Sequence, residues 1–211
     1  WRLLKLVNAN ATTFSDATVQ KNKTYGYYVA AVNSGKKSRW SNIVTVSTGS
    51  TNAAQLSADT HPIPGRIEAE DYREGKEGEA YHDTTRGNTG GAYRSDDVDI
   101  QKTGDTDGDY NVGWIAAGEW LSYDVQVMNS GSYTIIFRVA SAQKGTKRLH
   151  LELNGEDITG PVSFSTGGRG WQRYQDVEIS GVQLESGRYR LKLVMDTSAF
   201  NINYLRFVRE E

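Results

Sequence analysis

The chain has 211 residues, 37% of them hydrophobic, with 22 glycines, 12 tyrosines, no cysteine and a formal net charge of −2. That length holds one large domain or two smaller ones with a real core, and the Gly and Tyr usage favours many short strands and turns. Nucleic acid and an anionic membrane lack an electrostatic case as partners, no apolar run can cross a bilayer, and disulfides and thiolate metal sites are excluded.

In chain order, residues 1–49 form a first block. Within it "YGYYVAAVNSGKKSRWSNIVTVST" (25–48) holds two alternating segments about a Gly- and Lys-rich turn, which predicts a hairpin. The block resembles the last two strands of a fibronectin type III sandwich, and "TTFSDATVQKNKTYGYY" (12–28) fits the turn and strand upstream of them. Only part of such a domain is present, so a partial, smaller β-sandwich segment of a longer protein is expected. The chain opens on Trp1, with neither a Met nor a signal-peptide pattern.

Residues 50–64 read as a linker, inside "STGSTNAAQLSADTHPIPG" (47–65), which is rich in Ser, Thr, Ala and Asn and ends in two prolines. A long loop within one domain is the alternative, although structureless loops of that length are uncommon. From 65 to 211 period-two alternation recurs in "LSYDVQV", "SYTIIFRVA", "RLHLELN", "YQDVEIS", "RYRLKLVM" and "NINYLRFV", with Gly, Asn or Ser in most gaps. No segment sustains a helical repeat. The expected fold class is all-β, an antiparallel β-sandwich (jelly-roll) module.

Catalytic signals are sparse. His61, His82 and His150 lack metal-ligand spacing, and neither a Gly-x-Ser-x-Gly elbow nor a phosphate-cradling Gly loop occurs. A glycosidase needs two carboxylates across a cleft, one with a raised pKa; Glu68 and Glu119 are the candidates if the sandwich is itself a hydrolase. In "GRIEAEDY" (65–72), Glu68 and Glu70 would share one face of a strand. Adjacent like charges need open solvent or a cation. The pair therefore reads as a solvated acidic strand or as part of a Ca²⁺ site, since that ion takes several hard oxygen ligands. "TGDTDGDY" (103–110) spaces Asp105, Asp107 and Asp109 like an ion-binding loop, or equally like a solvated turn.

The segments "IEAEDY", "NVGWIAAGEWLSYDV", "GSYTIIFRVAS", "STGGRGWQRY" and "FNINYLRF", in this order, resemble the family 6 carbohydrate-binding modules over about residues 65–209. The likeness is greatest to modules attached to agarases and related polysaccharide hydrolases. It implies a glycan site among loops at one edge of the sandwich, where two aromatics clamp a terminal sugar and an Asn bonds its hydroxyls. Trp114 takes the first aromatic position, Trp171 the second and Asn201 the amide, while Tyr110 and Asn111 adjoin the first aromatic and would widen the platform. The resemblance also implies a structural calcium held by Glu68 and Glu70. Asn203 stands where the family has an acid, which lowers the expected affinity; Asp196 is an alternative acid. Tyr93, Tyr123, Tyr174 and Arg138 are candidates for a second glycan face.

The physics suits a sugar. A pyranose offers an apolar C–H face to an indole, and an Asn amide supplies both donor and acceptor to hydroxyls. The competing reading buries both indoles in the core, since Trp is highly buried on average. Trp171 follows Gly167, Gly168 and Gly170 in what must be a loop. Val112, Ile115, Trp120, Leu121 and Tyr123 are expected in the core or beside it. The expectation is a non-catalytic module of a secreted bacterial glycoside hydrolase, tethering it to agarose or another β-linked polysaccharide. A β-sandwich hydrolase domain and a protein-adhesion sandwich without a glycan partner are the alternatives.

Overall fold

The structure is a computed structural model and describes residues 3–7, 16, 18–19, 23–33, 36–38, 41, 43–48 and 60–211. The chain divides into two units, Trp1–Gln55 and Leu56–Glu211. In the first, β1 (Lys23–Tyr27) pairs antiparallel with β4 (Val44–Thr48), setting Tyr25 opposite Val46 and Tyr27 opposite Val44. Between them β2 (Val32–Asn33) pairs with β3 (Lys36–Lys37). The alternating hairpin expected in 25–48 is thus formed, and the Tyr27 hydroxyl donates to Asp16 at 2.8 Å.

The second unit begins with a correction to the expected linker. Residues 60–63 form β5 (Thr60–Ile63), which runs parallel to β10 (Trp120–Val127). Ile63 is fully buried and pulls the segment onto the core. Pro62 is tolerated because β5 is an edge strand, where a missing N–H breaks no ladder. Residues 50–59 lie outside the described residues. The chain then turns at Gly65, where a Cβ would stand 2.4 Å from the Pro62 carbonyl oxygen, and enters the other sheet as β6 (Gly65–Glu68).

Two sheets face each other. One has seven strands: β13 (Glu156–Asp157), β12 (Lys147–Leu153), β16 (Gly187–Met195), β10 and β5 in order, with β14 (Val162–Phe164) on β12 and β7 (Tyr81–His82) on β10. The other has six: β15 (Gly170–Leu184), β11 (Gly131–Ser141), β17 (Asn201–Arg209), β9 (Tyr110–Val112) and β8 (Ile100–Lys102), with β6 on β17. The β5–β10 ladder is parallel and the ladders that join the other strands are antiparallel. No helix forms among the described residues.

The alternation predicted from the sequence sets the core. On β10, Leu121, Tyr123, Val125 and Val127 are buried; Leu191, Leu193 and Met195 follow on β16, Leu149 and Leu151 on β12. The six-stranded sheet answers with Ile135, Phe137 and Val139 on β11 and Ile202, Leu205 and Phe207 on β17. Each such side chain contributes about 1.5–3 kcal/mol when taken fully out of water. Trp120 has the opposite parity to Leu121. It lies on the outer face of its sheet, half-buried, with the Lys192 ammonium 4.6 Å above its ring and His82 at 6.5 Å.

Candidate functional site

Trp114 and Trp171 stand out of the core, with 51% and 43% of their surface exposed. Trp114 is carried by the loop between β9 and β10, and its φ of 49° is left-handed, costly for a side chain with a Cβ. The surroundings hold it there. Gly113 N–H donates to the Asp99 carbonyl (2.9 Å), Ala117 N–H to Ser198 Oγ (2.9 Å), Gly118 N–H to the Met195 carbonyl (2.8 Å) and Ala199 N–H to the Ile115 carbonyl (2.8 Å). The buried Glu119 closes the loop: Oε2 accepts from Ala116 N–H (2.8 Å), and Oε1 accepts from both the amide (3.0 Å) and the hydroxyl (2.7 Å) of Thr84. Its carboxylate is spent on three donors.

Trp171 is presented by a break in register. Val139 pairs with Gln175 and Ser141 with Gly170, so residues 171–174 bulge out opposite the single residue Ala140. Such a bulge re-aims side chains away from the pleat. The first residue of the last strand then ties the two aromatics together. Asn201 is 2% exposed; its Nδ2 donates to the Trp171 carbonyl at 2.7 Å, and its Oδ1 lies 3.0 Å from where a Cβ on Gly113 would stand. Only glycine lets the backbone beside Trp114 come that close to the amide. Asn201 therefore joins the backbones that carry Trp114 and Trp171; buried, with its donor on a carbonyl, it supports the indoles, a correction to its expected place on sugar hydroxyls.

Tyr110 and Asn111 are used differently. Tyr110 packs against the core, with its ring centroid 5.0 Å from that of Tyr93, whose hydroxyl donates to Asp71. Asn111 is fully buried, a correction to its expected place on the platform. Its Oδ1 accepts from Gln172 Nε2 at 3.2 Å, while its Nδ2 has no partner. Gln172 was not among the expected residues, although it directly follows Trp171. Its Oε1 accepts from Gly104 N–H (2.6 Å) and the Tyr174 hydroxyl (3.3 Å), so it joins the 103–109 loop to the aromatic rim.

That loop is itself clamped. Arg138 places Nε 2.7 Å and Nη2 2.8 Å from the two oxygens of Asp105, which also accept from Asn203 Nδ2 at 3.0 Å and Thr106 N–H at 2.9 Å. Burial alone would raise the Asp105 carboxyl; these donors outweigh it and hold the group below its ordinary range. Asp105 and Asp107 are thus engaged by protein donors, Asp107 through Arg66, instead of forming an open ion-binding loop. Of the four candidates for a second glycan face, Arg138 and Tyr174 are neighbours, the guanidinium 5.9 Å from the ring centroid, but Tyr123 is not with them. Tyr123 is buried in the core with its hydroxyl on the Ala69 carbonyl (2.8 Å), whereas Arg138 is forked on Asp105. Burial pushes the Tyr174 phenol up to about 12.

Of the expected calcium ligands, Glu68 is forked by Arg66, with Nε 2.8 Å from Oε1 and Nη2 2.8 Å from Oε2. Glu70 is 3% exposed, and burial, with the charges of Glu68 and Asp71, pushes its carboxyl up to about 8. Glu70 Oε2 and Asn203 Oδ1 are buried acceptors without donors. Two such oxygens are what a hard cation would satisfy, so these two residues fit Ca²⁺ and Glu68, already neutralised, fits it less well. Asp196 lies at the end of β16 and bonds His150 Nδ1 at 2.8 Å. Among the described residues no three acidic or histidine side chains converge on one point.

Comparison with known proteins bears on the family and the fold. A solved carbohydrate binding module from Cellvibrio mixtus lichenase 5A, in complex with cellotriose, is 29% identical with a TM-score of 0.53, over 70% of this chain and 98% of that one. Among curated proteins, the clotting factor G alpha subunit of Tachypleus tridentatus is 33% identical over 54% of this chain, and the alpha-agarase of Alteromonas agarilytica 30% identical over 36%. The matched segments span only 17% and 5% of those two proteins. The family described as Carbohydrate binding module (family 6) matches residues 90–209, more than half of the sequence. The chain therefore belongs to the family 6 carbohydrate-binding modules, a family of non-catalytic binding modules with a β-sandwich fold.

Proposed function

We propose that this module holds a secreted glycoside hydrolase on its polysaccharide by clamping a terminal sugar between Trp114 and Trp171, with the buried Asn201 bracing the two indoles from behind. The observation that carries the reading is the pair of exposed indoles joined through one buried amide. An indole held on a pinned loop loses little freedom on binding, so its contact area is converted into affinity with small ordering cost. Tethering raises the local concentration of bonds to be cut without any new contact at the catalytic centre. The lichenase and agarase relatives make β-glucans and agarose the first glycans to try. Against a hydrolase, Glu119 is committed to three donors and Glu68 to Arg66, so both carboxylates already serve the protein's own groups.

A structural Ca²⁺ at Glu70 and Asn203, with Glu68 beside them, belongs to the same proposal. It would fix the end of β6 against the first residues of β17. Affinity electrophoresis in gels containing agarose, lichenan, laminarin or xylan tests the whole reading, on wild type and Trp171→Ala, with and without EDTA. Retardation in at least one glycan, lost in Trp171→Ala, is expected. Equal mobility of both proteins in every gel would refute glycan binding at this site. A melting temperature unchanged by EDTA would refute the calcium.

A further inference from the structure

We infer that the glycan gripped at Trp171 is anionic, carrying sulfate ester or carboxylate groups next to the clamped sugar. The inference deepens the glycan-binding reading above and rests on it. Three exposed basic residues, Lys144, Arg169 and Arg173, lie on the loop that carries the indole and on the turn beside it. Two of them are placed there by the glycines that precede the indole. A Cβ at Gly168 would stand 3.0 Å from Lys144 Cγ, and a Cβ at Gly170 would stand 3.2 Å from Arg173 Cγ, so both aliphatic stems lie along the loop. Arg169 sits between those two glycines, and the pairing of Ser141 with Gly170 holds the Lys144 turn alongside.

None of the three makes an ion pair or a side-chain hydrogen bond with a described residue. Several arginines of the sandwich are matched with acids, Arg66 with Glu68, Arg138 with Asp105, Arg94 with Asp96 and Arg190 with Asp124, while Arg86, Arg148 and Arg206 make no ion pair with a described residue either. What sets the three apart is that they share one loop and the turn beside it. The nearby carboxylate on β15, Asp176, is turned to Arg138 at 3.3 Å. A chain with net charge −2 thus sets three unmatched cations on the loop of one exposed indole and the turn beside it. A neutral sugar's hydroxyls accept hydrogen bonds from such groups but leave their charge unbalanced. Guanidinium groups fork onto the paired oxygens of sulfate or carboxylate, and an ammonium adds a point charge, so an anionic substituent fits all three.

The test uses the whole chain in affinity gels and calorimetric titrations at low and high salt. The probes are carrageenan, the same carrageenan after chemical desulfation, and alginate, which separates sulfate from carboxylate. Wild type, the triple variant Lys144→Gln/Arg169→Gln/Arg173→Gln, and Trp171→Ala are compared. Wild type should bind one of the two polyanions about tenfold more tightly than the desulfated galactan, the sum expected of three exposed ion pairs. Salt should remove that margin. The triple variant, altered only at exposed positions, should keep its melting temperature and lose the margin, and Trp171→Ala should lose retention altogether. Equal binding of carrageenan and its desulfated form together with no preference for alginate overturns the inference. So does an unaffected triple variant, or polyanion retention that survives Trp171→Ala. Retention confined to neutral glycans overturns this inference alone; no retention on any glycan, neutral or charged, overturns the underlying reading with it.

Discussion

Replacing Trp171 by Ala separates an indole that binds from one that merely decorates the rim. The side chain leaves 43% of its surface in water. Of roughly 250 Å² for a tryptophan, that is about 110 Å² available to a ligand. At about 25 cal/mol per Å², covering all of it is worth about 2.7 kcal/mol, and covering one ring face about half as much. Trp171→Ala should therefore raise Kd by about tenfold to about a hundredfold. The rest of the indole is packed, so the variant also becomes less stable, by about 2 kcal/mol. Calorimetric titration at a temperature where circular dichroism shows a native fold keeps the two effects apart. Trp171→Tyr, which preserves a stacking face, should recover part of the affinity. A Kd within about twofold of wild type in a folded Trp171→Ala protein is smaller than any face-on contact permits, and would refute the clamp.

Trp114→Gly should be more stable than Trp114→Ala by about 1 kcal/mol, because glycine alone removes the cost of φ 49°; equal urea midpoints would show that the loop carries no strain. Glu119→Ala should cost about 2–4 kcal/mol, since it strands the Thr84 and Ala116 amides, whereas Glu119→Gln should cost less; a wild-type urea midpoint for the Ala variant would contradict this. The Asp105 carboxyl is held below its ordinary 3.8, so its contribution is complete above that value and is lost as pH falls through the folded pKa. Stability should therefore drop in acid, and Asp105→Asn should flatten that part of the profile; an identical acid limb in the variant would rule Asp105 out.

What could be read from the sequence, and what could not, follows from the range of the interactions. The strands were legible because period-two alternation is local: "LSYDVQV" sends Leu121, Tyr123, Val125 and Val127 inward, and the core is made of these. The same parity already implied that Trp120, one residue before Leu121, faces out. Arg66 was within reach of the same rule, since it shares a strand face with Glu68 two residues on. β5 was hidden because an edge strand of four residues with a proline has the composition of a linker. Asn111 could not be placed, because the residue that covers it, Gln172, is 61 positions away. The Asp105–Arg138 fork, across 33 positions, is equally silent in one sequence.

The residues that local rules described least well are those nearest the indoles. Trp114 takes a backbone conformation that a strand pattern would never assign, and residues 171–174 leave the β11–β15 ladder just after the glycines that mark a loop in the sequence. Both departures have the same effect: they turn an aromatic away from the pleat, where it would point either into the core or flat onto the sheet. Irregular backbone is costly and persists only where surrounding groups over-determine it. Here those groups are buried polar ones, Glu119 under Trp114 and Asn201 behind Trp171, each satisfied by backbone partners. A site that must offer two rigid apolar faces to water cannot be built from pattern alone. It requires polar residues spent on holding backbone, and these are the residues, Glu119 first, that a search for catalytic carboxylates picks out for the wrong reason.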